Sequence, residues 1–69
     1  MAESRLPEKG SRVRIVGIMR DEPDPLALGE EGTVTHATQA AGGQIFVAWD
    51  SGRTLILLPE DPFVVVSRG

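Results

Sequence analysis

The chain has no cysteine, no tyrosine, one tryptophan, two phenylalanines and one histidine in 69 residues. Each shortage closes a route to stability or a class of function. Without cysteine there is no disulfide and no thiolate metal site. His36 is the one histidine and there is no thiol, so acid–base or nucleophilic chemistry has no grouped titratable residues to draw on. The expectation is therefore a protein that is not an enzyme, with no catalytic residues, no cofactor and no metal. Three aromatics are too few to line a polyproline groove or a methyl-lysine cage. They also give single-stranded nucleic acid little to stack on. No stretch approaches the ~20 apolar residues of a membrane helix, and Met1–Glu8 lacks the apolar run of a secretory signal. These absences predict a cytoplasmic protein, in keeping with a cysteine-free chain in a reducing compartment. The formal net charge is −3, which runs against the basic excess that phosphate neutralisation requires.

What remains is short, β-rich and punctuated by glycine and proline. A chain of this length is a single domain with a thin stability margin, burying only ~60% of the surface its unfolded form exposes. Residues 1–9 are polar and aperiodic and read as a flexible N-terminal tail; the domain is expected over 10–67. Arg12 to Ile18 begins with alternating charged and apolar side chains, the strand period, with Val13 and Ile15 inward and Arg12 and Arg14 outward. Met19 to Glu31 holds Pro23 and Pro25, which a helix interior or central strand would reject. It reads as a long first loop, with Leu26 and Leu28 folded back over one mouth of a barrel. Gly29 and Gly32 are read as supplying backbone angles that other residues resist.

Four further strands follow. Thr33–Thr38 is rich in β-branched residues. Gln44–Asp50 places Ile45, Val47 and Trp49 on one face. Arg53–Leu58 turns Leu55 and Leu57 inward, and Phe63–Val66 closes the series. Gln39–Gly43 and Asp50–Gly52 are turns, and Pro59–Pro62 reads as one tight helical turn. The pattern predicts an all-β, five-stranded SH3-like barrel, with an OB-fold as the runner-up. A closed sheet removes the exposed edges that such a small chain could not otherwise protect. Its expected core is Val13, Ile15, Val34, Ile45, Val47, Trp49, Leu55, Leu57, Phe63 and Val65.

Four motifs occur in order: Gly10-Ser11-Arg12-Val13, then Met19-Arg20-Asp21-Glu22-Pro23-Asp24-Pro25, then Gly29-Glu30-Glu31-Gly32-Thr33-Val34-Thr35, then Val47-Ala48-Trp49-Asp50-Ser51-Gly52. In order and spacing they resemble the bacterial family catalogued as domain of unknown function 4314, over Gly10 to Val66. Ala27-Leu28 stands where such sequences often carry prolines, and the Pro59–Pro62 turn is a residue shorter than usual. The resemblance implies an SH3-like barrel and no assigned activity. More distantly, the Gly-x-x-Gly-Thr-Val segment is similar to KOW-type barrels, which bind RNA or ribosomal partners; that analogy does not fix function.

Three groups of residues are candidates for function. Asp21, Glu22 and Asp24, with Glu30 and Glu31, form an acidic loop that lacks calcium-loop spacing and reads as a solvated surface. Arg12, Arg14 and Arg53 would form an outward basic strip, the expected contact of a KOW-like RNA- or ribosome-associated module. In the strand register above, Val16, Ile18, Phe46, Ile56, Leu58, Val64 and Val66 fall opposite the main core set. A barrel has one interior, so this second apolar set predicts an interface, centred on Phe46 and Ile56. The function expected is a protein-interaction or adaptor module whose simplest partner is a second copy, as a homodimer.

Overall fold

The structure, a computed structural model, describes residues 6–19 and 25–68. Five strands run β1 Arg12–Ile15, β2 Glu31–Thr38, β3 Gln44–Trp49, β4 Ile56–Leu57 and β5 Phe63–Ser67. They form one antiparallel sheet in the order β4-β3-β2-β1-β5. Four consecutive strands meander, and the fifth returns to pair with the first. A three-residue 3-10 turn, Ala40–Gly42, joins β2 to β3, and no α-helix occurs among the described residues. The all-β, five-stranded expectation holds.

The inward faces converge on one core: Val13, Ile15, Met19, Leu26, Val34, Ile45, Val47, Trp49 and Leu57, with Leu6, Ala37, Leu55 and Phe63 packed against it. The Trp49 indole N–H donates to the Leu55 carbonyl at 2.8 Å. The one polar atom of the ring is thus satisfied, and it ties down the irregular stretch before β4.

β2 bends at Thr35. Val34 faces Val47 and His36 faces Phe46, so Thr35 opposes no residue of β3. Its hydroxyl donates to the Phe46 carbonyl at 3.2 Å. Such a bulge bends the strand and increases its twist. β2 pairs with β1 through Glu31–Thr33 and with β3 from Gly32 to Thr38, on both sides of the bulge.

Several expectations are corrected. Val65 faces the fully buried Val13 yet is 44% exposed, because β5 ends the strand order and no described strand pairs with its other edge. Leu26 is buried, but Leu28 is 70% exposed. It occupies the tip of a turn closed by the Glu30 N–H on the Ala27 carbonyl, with Gly29 next at φ +90°. Gly29 thus needs the positive angle; Gly32 does not. A Cβ at Gly32 would lie 2.6 Å from Val47 Cγ1 and 2.8 Å from the Ala48 carbonyl oxygen, so close packing reserves that position. Met19, read as loop, is buried in the core.

β1 stops at Ile15 rather than Ile18. The Val16 N–H donates to the Pro62 carbonyl, and Pro62 has no N–H to return the bond. The strand expected from Arg53 shortens to Ile56–Leu57. Pro59–Pro62 is a turn without helix, closed by the Asp61 N–H on the Leu58 carbonyl and the Leu58 N–H on Asp61 Oδ2. Ahead of β1, Pro7 is buried and Leu6 packs against the core.

Candidate interaction surface

The outer face divides into a charged half and two apolar groups. The charged half spans β1, β2 and the end of β3. Register sets Arg12 opposite Thr33 and Arg14 opposite Glu31, and the Asp50 N–H donates to the Glu31 carbonyl. Four charges are thereby brought onto neighbouring strands. Arg12 meets Asp50 with both ends of its fork, at 3.0 and 2.6 Å. It also donates to Thr33 Oγ1 at 3.0 Å and to Glu31 Oε1 at 3.3 Å. Arg14 Nε donates to the other oxygen of Glu31 at 2.7 Å. The bidentate geometry is the strong form of such contacts.

The pairing shifts each proton equilibrium. The hydrogen bond from Arg14, followed by the charges of Arg14 and Arg12, holds Glu31 below the usual carboxylate range against partial desolvation. Arg12 does the same for Asp50, and the guanidinium of Arg12 is itself held more firmly in its charged form, chiefly by its bond to Asp50. Two cations and two carboxylates cancel. The anticipated basic strip is thus internally neutralised at Arg12 and Arg14. Arg53, the third member, lies apart on the β3–β4 connection and donates to the Pro25 carbonyl at 3.3 Å. Of the acidic loop, Glu31 enters this network and Glu30 accepts the Ser51 N–H at 3.2 Å. Asp21, Glu22 and Asp24 lie outside the described residues. No group of three or more His, Asp or Glu side chains among the described residues is arranged to hold a metal ion.

The apolar candidates form two groups rather than one. Phe46 and Ile56 face each other across β3 and β4, with Leu58 just beyond. Val64 and Val66 lie on β5, at the other end of the strand order. The charged half separates the two across the sheet. Val16 belongs with the β5 group, since its N–H reaches Pro62. Ile56, Leu58, Val64, Val66, Val16 and Ile18 are all exposed, and Phe46 is half-buried. Phe46 is partly covered by His36, whose ring lies 5.7 Å away, tilted by 39°. A shallow groove of about 390 Å³ opens beside Phe46, between Thr35, Ala48 and the Gly52–Thr54 connection.

Sequence periodicity located every member of these groups but could not partition them, because the partition depends on strand order. It also missed Val65. A run of three valines carries no alternation, and that run was the one available sign that both faces of β5 would behave alike.

Residues 4–66 match the family model described as Domain of unknown function (DUF4314), nearly the whole chain, and the chain belongs to that family. No curated protein and no solved structure matches it. No helix among the described residues is long and apolar enough to cross a membrane.

Proposed function

We propose that this member of the DUF4314 family is a small non-enzymatic module that binds a protein partner through its uncovered apolar side chains. The observation that carries the reading is the pair of uncovered apolar groups: exposed Ile56 and Leu58 beside half-buried Phe46 on one, exposed Val64 and Val66 on the other. Single exposed apolar residues are ordinary, but clusters on so small a body are typical of interfaces. A second copy is the simplest partner, because one patch then serves both sides. The reducing cytoplasm suits the cysteine-free chain.

The competing KOW-like reading needs cations free to meet phosphates. Arg12 and Arg14 already face carboxylates at hydrogen-bonding distance, so the observations favour the protein partner. Two substitutions test the reading, one per group: Phe46→Glu and Val64→Glu. A fall in sedimenting mass with either, at unchanged β circular dichroism, supports it, and the association should persist or strengthen in high salt. Association that instead dissolves between low and moderate salt, and only with nucleic acid present, would favour the RNA-binding alternative.

A further inference from the structure

We propose that β5 is where two copies of this chain join, edge to edge and antiparallel about a two-fold axis near Val64–Val65. This rests on the interaction reading above and narrows it to one strand and one partner.

The backbone supplies the first argument. Among the described residues only β1 pairs with β5. The bond from the Val16 N–H to the Pro62 carbonyl makes those two residues a hydrogen-bonded pair. In an antiparallel ladder such pairs alternate, so Arg14 and Val64 form the next one. Phe63 and Val65 therefore turn their backbone groups away from β1. Phe63 satisfies its N–H locally, on the Asp61 carbonyl at 2.9 Å. Val65 presents both its N–H and its carbonyl to the open edge. Edge strands are normally blunted by charges, prolines or bulges. The residues from Phe63 to Ser67 carry no charge, and the bulge of β5 lies at Val66, where Val65 faces Val13 and Ser67 faces Arg12. The straight part, Phe63–Val65, is left unprotected.

The side chains supply the second. Val64, Val65 and Val66 are exposed on both faces of the sheet. The residues of this chain outside the described ones offer little apolar surface to match them: 1–5 reads Met-Ala-Glu-Ser-Arg, 20–24 reads Arg-Asp-Glu-Pro-Asp, and 69 is glycine. Most of those side chains are charged. The valine strand of another copy is the matching apolar surface.

Charge fixes the partner and the direction. Each copy carries −3 overall, so copies repel except where the surface is uncharged or complementary. β5 is uncharged, with Glu60 and Asp61 before it and Arg68 after it. Antiparallel pairing brings each Arg68 to the Glu60–Asp61 end of the other copy, twice by symmetry; parallel pairing would set like charges together. The remaining edge, β4, is two residues long, too short to extend the ladder, so the assembly closes at two.

Sedimentation over a wide concentration range should show a dimer. Val65→Pro should yield monomers with unchanged β circular dichroism, because it deletes an N–H that β1 does not use. Arg68→Glu should raise the dimer dissociation constant roughly threefold to tenfold at low salt, an effect that high salt removes. In a mixed sample of isotope-labelled and unlabelled chains, intermolecular NMR contacts should link β5 to β5. A chain that stays monomeric at the highest concentration overturns the proposal, and the interaction reading then needs a different protein. A dimer that Phe46→Glu dissolves but Val65→Pro does not overturns the edge pairing and spares the reading. Should Val65→Pro fail to fold, the intermolecular contacts of the unaltered protein decide alone: their absence overturns the proposal.

Discussion

β1 and β5 lie side by side, yet their valines live in different environments. Val13 is fully buried; Val65, directly opposite, is 44% exposed. Both were expected in the core, and both face inward. The difference is position in the sheet. β1 has a strand on each side and β5 has one. A strand in the middle is buried by its neighbours as well as by the layer beneath it. An edge strand needs something further, and β5 lacks it among the described residues. Burial is thus set by neighbours that alternation along a single strand does not record.

The comparison can be broken by substitution, and the largest effects belong to the central strands. Trp49→Ala should cost ~3–5 kcal/mol, enough to unfold so small a domain, and loss of the β circular-dichroism signal would register it. Gly32→Val should follow at ~3 kcal/mol through overpacking against Val47 and Ala48. Gly29→Ala, strained only by its positive φ with nothing within 4 Å of the added carbon, should cost ~1 kcal/mol. Equal losses at the two glycines in urea titrations would show that the crowding at Gly32 costs no more than the positive φ at Gly29.

Within the β1–β5 pair, Val13→Ala should cost about 2 kcal/mol. Val65→Ala should cost less than about 1 kcal/mol when measured on the monomer. Similar values would mean that β5 is buried after all. The smallest effect belongs to the ion pairs. Glu31 and Asp50 have folded-state pKa values below their unfolded ones. Their contribution is complete above the ordinary carboxylate range, near pH ~4, and is lost as pH falls through the folded values. NMR titration should find both carboxyls low, and Arg12→Gln should return Asp50 toward its ordinary value.

Much of the fold was legible because period two survives in this sequence wherever one face is buried. The alternation Arg12-Val13-Arg14-Ile15 and the set Ile45, Val47, Trp49 report their faces directly, and all five apolar residues are buried. The strand ends were less legible. β1 stops at a proline some fifty residues away in sequence, a contact that no local pattern announces. Gly32 looked like a backbone-angle glycine because its neighbour in the motif, Gly29, is one; the crowding that reserves it comes from β3. For the surface, Arg12 and Arg14 were correctly read as outward, but their neutralisation requires Glu31 and Asp50 to arrive from two other strands. The apolar groups were found by elimination and divided only by strand order.

The extra residue at Thr35 acts as a parity switch. Before it, even-numbered positions of β2 such as Gly32 and Val34 look inward; after it, the odd-numbered Ala37 does, opposite Ile45. Deleting Thr35 would restore simple alternation and leave Ala37 opposite Ile45, so the wet and dry sides downstream would stay as they are and only the bulge, with the bend it puts into the strand, would be lost. When two chains of this family are aligned, a one-residue gap in 34–36 therefore marks a strand straightened with its pairing to β3 kept, while a gap of the same size in the Gln39–Gly43 connection alters only a loop.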